Sequence, residues 1–173
     1  MATLVLTVIG DDRAGLVSAL SGVIAEHDGS WERSQMSRLA GKFAGIVVVT
    51  VPDDRATGLG RALAQLDDQG LGVTVERGSD EPPAGPTLHR LQLELVGADR
   101  PGIVHDISRV LAARQVSIEE LQTATREAPM AGGMLFEATA ALLAPQDVPL
   151  DELQGVLEEL ANELMVDLRL SQE

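Results

Sequence analysis

The chain has 173 residues, 45% of them hydrophobic and only 2% aromatic, so its cores have to be packed from Leu, Val, Ile and Ala. Thirteen basic residues stand against 27 acidic ones, and the net charge of −14 repels nucleic-acid phosphates and anionic membranes alike. Cysteine is absent, which excludes disulfides and thiolate metal sites. No apolar run reaches the roughly 20 residues of a membrane span, and the short apolar start before Gly10 has no basic lead. A soluble, cytoplasmic protein is expected.

Residues 3–9 are apolar and β-branched, a strand. Leu16, Val17, Leu20, Val23, Ile24 and His27 then fall on one helix face, and Asp28-Gly29 stops that helix. Residues 31–39 and 43–51 read as two strands of a hairpin around Ala40-Gly41-Lys42. A second helix is expected over 55–68 and a last strand over 71–77. Residues 78–86 carry three prolines among polar residues and read as a stiff linker.

Beyond the linker the same order returns. Gly10 matches Gly97, Asp12 matches Asp99 and Gly15 matches Gly102, each 87 positions on. The same offset pairs Leu20 with Ile107, Val23 with Val110 and Gln35 with Gln122. The second copy gains a few residues between Arg126 and Gly133, after which Phe43 matches Phe136 and Pro52 matches Pro145. Its second helix is marked by the stripe Leu150, Leu153, Val156, Leu157, Leu160 and Leu164. The expected domains are therefore 1–77 and 87–173, joined by 78–86.

Each copy reads β-α-β-β-α-β. That order predicts an α+β fold of two ferredoxin-like sandwiches, each a four-stranded antiparallel sheet with both helices on one face. Val47, Val49 and Val51 suggest that the opposite face is partly apolar, and such a face or sheet edge needs a partner. Units of roughly 85 residues also lie near the small end for independent stability, which favours pairing.

The loop after each first strand carries the strongest chemical signal. Asp12 and Asp99 are placed to cap the following helix, with Pro101 in its first turn. Gly15 and Gly102 leave the backbone bare, so that an anion can reach free N–H groups at the positive end of the helix dipole. Arg13 and Arg100 add a cation suited to a carboxylate. The same residues also fit a turn with no ligand, its glycine serving helix–sheet packing.

Gly97-Ala98-Asp99-Arg100-Pro101-Gly102-Ile103-Val104, followed by an amphipathic helix and Ser117-Ile118-Glu119, resembles the opening of an ACT domain. The tandem pair, with its Pro-rich linker and lengthened second hairpin, resembles the glycine cleavage system transcriptional repressor family over essentially the whole chain. The resemblance implies binding of an amino acid, such as glycine or serine, where ACT domains pair. It also implies action through contact with a DNA-binding regulator, without direct nucleic-acid binding. The implied ligand-binding residues are Asp12, Arg13, Ala14, Gly15, Leu16 and Ser30 in the first copy. In the second they are Asp99, Arg100, Pro101, Gly102, Ile103 and Ser117. Ser30 and Ser117 stand where the family often has Asn, and a hydroxyl reaches less far than that amide.

No catalytic residue, cofactor or metal is expected, and a homodimer is. His105 beside Asp106 has no nucleophile in view, His89 has no motif, and no H-x-x-x-H spacing occurs. His27 and its counterpart Arg114 end helices, where a cation suits the dipole. Trp31 is expected at a core or interface position, and the acidic face of the last helix as solvated surface. Two alternatives remain: a constitutive interaction module without ligand, and a stand-alone relative of the regulatory domain of formyltetrahydrofolate deformylase.

Overall fold

The computed structural model describes residues 1–79, 88–130 and 132–172. The chain divides into two compact units, Met1–Pro83 and Ala84–Glu173. Unit 1 runs β1 (Ala2–Asp11), α1 (Leu16–Glu26), β2 (Ser30–Leu39), β3 (Lys42–Val51), α2 (Ala56–Ala64) and β4 (Leu71–Arg77). Unit 2 runs β5 (Leu88–Ala98), α3 (Ile103–Ala112), β6 (Ser117–Glu127), β7 (Met134–Pro145), α4 (Leu150–Leu164) and β8 (Val166–Gln172). The sheets have the same antiparallel order, β2-β3-β1-β4 and β6-β7-β5-β8, so each unit is the expected ferredoxin-like sandwich.

Alternation places the core. Leu6 lies opposite Val47 on one side and Val75 on the other, and it packs with Leu20, Ile24, Leu59 and Leu63. In unit 2, Leu93 and Leu95 pack with Ile107, Leu111, Leu153 and Leu157. Among the described residues no polar side chain is buried, so apolar burial alone drives each core, at about 1.5–3 kcal/mol per enclosed aliphatic side chain.

The structure corrects one reading of β3. Val47, Val49 and Val51 are fully buried against the helices, and the outward row is Ile46, Val48 and Thr50. All of residues 46–51 are β-branched, so alternation cannot be seen in the sequence, and pairing with β1 sets the parity.

Two smaller corrections concern turns. The hairpin turn is two residues long, Ala40 and Gly41 at φ 49° and 79°, with Lys42 already in β3. Helix α2 stops at Ala64, and residues 65–69 tighten into a 3-10 turn closed by Gly70 at φ 81°. At the start of the predicted linker, the Gly78 amide donates to the Thr3 carbonyl at 2.9 Å. Residues 80–86 of that linker lie outside the described residues.

Candidate functional site

The β1–α1 and β5–α3 loops fold identically. Gly15 and Gly102 are the residues on which α1 and α3 begin, at φ 92° and 93° with ψ −1° in both. That left-handed shape strains any residue with a Cβ, which explains a glycine at each position. The first helical hydrogen bonds run from Ala19 to the Gly15 carbonyl and from Asp106 to the Gly102 carbonyl, both 2.9 Å. The amides of residues 16–18 and 103–105 therefore precede the ladder, at the positive end of each helix.

Neither helix is capped by a side chain, which overturns the capping role expected of Asp12 and Asp99. Both lie three residues before the helix-starting glycine, too far upstream for a cap. They bind instead to the hairpin: the Asp12 and Asp99 amides donate to Gly41 and Met134 carbonyls at 2.9 and 2.8 Å. The Asp12 carboxylate accepts from Arg38 at 3.2 Å. Pro101 precedes Gly102 and so stands outside the first helical turn. Arg13 donates to the Gln69 carbonyl at 2.5 Å and ties the loop to the end of the 3-10 turn.

Beside Gly15 these residues enclose an open recess of about 230 Å³. Asp12, Arg13, Gly15 and Leu16 from the expected set line it, joined by Val17, Ser18 and Phe43. The recess combines both charge signs, bare amides and an apolar wall, within a space below the ~300 Å³ at which drug-sized sites begin. Ala14 is exposed in the turn, and Ser30 is exposed at the start of β2 opposite Thr50; neither lines the recess. Phe43 escaped the sequence reading as a site residue, although its match with Phe136 marked the position.

In unit 2, Ile103 is buried while Asp99, Arg100, Pro101 and Gly102 are exposed, and Ser117 is exposed at the start of β6. One difference from unit 1 is Asp106, an acid in the first turn of α3. Its Oδ2 lies 3.9 Å from where a Cβ on Gly102 would stand, whereas that direction at Gly15 is empty to 4 Å. Helix α1 has no acid in its first turn, where Ala19 replaces Asp106.

The remaining candidates are structural in position. His27 Nδ1 lies 2.9 Å from the Val23 carbonyl, and Arg114 Nη1 donates to the Val110 carbonyl at 3.4 Å. Among the described residues no group of three or more His, Asp or Glu is placed to hold a metal, and no helix is long and apolar enough to cross a membrane.

Comparison with known proteins agrees with this architecture. The profile of the ACT domain matches residues 2–76 and again 89–171. A crystal structure of an unknown protein from Galdieria sulphuraria superposes with a TM-score of 0.83 at 30% identity, covering 99% of this chain and 98% of that one. A structure assigned to a glycine cleavage system transcriptional repressor has the same fold, with a TM-score of 0.70 at 18% identity and coverage of 99% and 97%. A UPF0237 protein of Methanopyrus kandleri is 37% identical over 86 residues, which is 50% of this chain and 90% of that protein. Two profile matches, one on each unit, show that the chain belongs to the ACT domain family.

Proposed function

We propose that the chain is a non-catalytic regulatory protein that binds a free amino acid in the recess beside Gly15 and acts through contact with another protein. The observation that carries this reading is an open cavity at an uncapped helix start, with Asp12, Arg13 and bare amides around it. The ligand carboxylate takes the amides of residues 16–18, its ammonium faces Asp12, and its carbon atoms rest on Leu16, Val17 and Phe43. Glycine and serine are the first ligands to test, since the recess is small.

The protein partner is a DNA-binding regulator, and the process is transcriptional control of glycine cleavage. The name of the structural relative supports this reading, as does a charge of −14 that favours a basic protein surface over nucleic acid. A thermal-shift series with the common amino acids tests the sensor. Ligand at a hundredfold excess over Kd adds about 2.7 kcal/mol of stability, and no response from any amino acid rejects the reading.

One observation favours the competing reading of a constitutive interaction module. Arg13 and Asp12 already have partners in Gln69 and Arg38. On that reading the loop is a structural tie, and protein binding is indifferent to added amino acids.

A further inference from the structure

Unit 2 carries methionine where unit 1 has glycine at two turns. The Asp12 amide donates to the Gly41 carbonyl and the Asp99 amide to that of Met134, so these positions correspond. Gly70 stands one residue before Leu71, the partner of Gly10, and Met165 stands one before Val166, the partner of Gly97. Gly41 and Gly70 have φ angles of 79° and 81°, and the space a Cβ would enter is empty to 4 Å at both. Met165 keeps the left-handed shape, at φ 53° and ψ 45°, although it carries a Cβ, and it is 80% exposed. The backbone accepts strain there for a side chain left in solvent, a pattern that belongs to binding surfaces.

The same end of unit 2 gathers further exposed apolar groups. Gly97 pairs with both Phe136 and Val166, which brings the β5–α3 loop, the β6–β7 hairpin and the α4–β8 corner to one end. Pro101, Val104, Met130 and Met134 are all exposed on these segments. So are Asp99, Glu127, Glu163 and Asp167, while Arg126 is already held by Glu137. Unit 1 has ion pairs at the matching end instead, Lys42 with Asp11 and Arg38 with Asp12.

We infer that this end of unit 2 is the docking surface for a protein partner, and that the docking element is a basic amphipathic helix. Methionine is flexible and polarisable, so it moulds to an apolar helix face without a preformed groove. The acids complement lysines or arginines flanking that face, and an amphipathic helix offers both in one element. They also turn away acidic segments and anionic membranes. The Asp106 carboxylate withholds the start of α3 from an anionic ligand, which leaves the loop free for a protein. The inference rests on the reading of action through protein contact and is independent of the amino-acid ligand.

The chain has five methionines, so isotope labelling of their methyl groups gives the full-length protein five NMR signals. The probe is a helical peptide of leucine and lysine. It should shift Met130, Met134 and Met165 and leave in place Met36, which packs on the core of unit 1. Met165→Gly, which copies Gly70, should weaken the peptide about tenfold or more while raising the urea midpoint, so loss of binding is not loss of fold. Met134→Ser should weaken it likewise without touching the left-handed residue. Peptides with glutamate for lysine, or serine for leucine, should leave all five signals unmoved. No shift with the leucine–lysine peptide, equal binding by either control, or unchanged affinity in either variant overturns the proposal. A DNA-binding regulator that binds wild type and Met165→Gly equally removes this surface and leaves the protein-contact reading standing.

Discussion

The carboxylate of Asp106 stands 3.9 Å from the Cβ position of Gly102 and so places a built-in anion beside the start of α3. The equivalent space at Gly15 in unit 1 is open. A carboxylate ligand should therefore bind once per chain, in unit 1. We expect isothermal titration with the best amino acid of the thermal-shift series to give a stoichiometry of one. Ala19→Asp, which copies unit 2 into unit 1, should abolish binding, and Asp106→Ala should leave the first site intact. Binding that survives Ala19→Asp unchanged places the ligand elsewhere.

The parity of β3 makes a contrast between adjacent residues. Val47 is fully buried and Ile46 is 54% exposed. Val47→Ala should cost about 2 kcal/mol through lost burial and the cavity left behind. Ile46→Ala should stay within about 0.5 kcal/mol, as surface changes do. Urea denaturation of the two variants decides this, and the reverse ranking would show that β3 faces the other way.

Helices α1 and α3 end in the same way. Asp28 and Gln115 take left-handed φ angles of 58°, and the amides that follow, Gly29 and Val116, reach back 3.0 Å to the Ile24 and Leu111 carbonyls. Gln115 is exposed and carries a Cβ where glycine is preferred. Gln115→Gly should raise stability by about 0.5–1 kcal/mol, read as a higher urea midpoint at constant slope.

The terminal amino group of Met1 donates to Asp53 Oδ2 at 2.8 Å. This hydrogen bond first, and the positive charge second, holds the Asp53 carboxyl below the ordinary carboxylate range. A group depressed in the folded state contributes stability at neutral pH and loses it as pH falls through the folded value. Both partners are exposed, so the contribution is small and screened by salt. In an N-acetylated chain, the Asp53 side-chain NMR titration should move upward. An unmoved titration would deny the contact.

Much of this fold was legible because the chain states it twice. The offset of 87 that matched Gly10 with Gly97 also matched His27 with Arg114, and both reach the carbonyl four residues back. The reason for Gly10 and Gly97 themselves was not legible. A Cβ on Gly10 would stand 2.5 Å from the Gly70 carbonyl oxygen, and one on Gly97 would run into Val166, neighbours that only the sheet brings together.

The site was half legible. Gly15 and Gly102 announced a bare helix start. The aspartates read as caps because the sequence does not show that a glycine at φ 92° separates Asp12 from the first helical amides. Nor could spacing reveal that Ser30 begins an exposed edge strand away from the recess lining.

Trp31, half-buried against the core of unit 1, is the sole tryptophan of a chain without tyrosine. Excited at the red edge of its absorption, it reports the melting of one half of the molecule, while the other half holds neither tryptophan nor tyrosine. Far-ultraviolet dichroism sees both, so a gap between the two optical midpoints would reveal whether the twins unfold together or in turn.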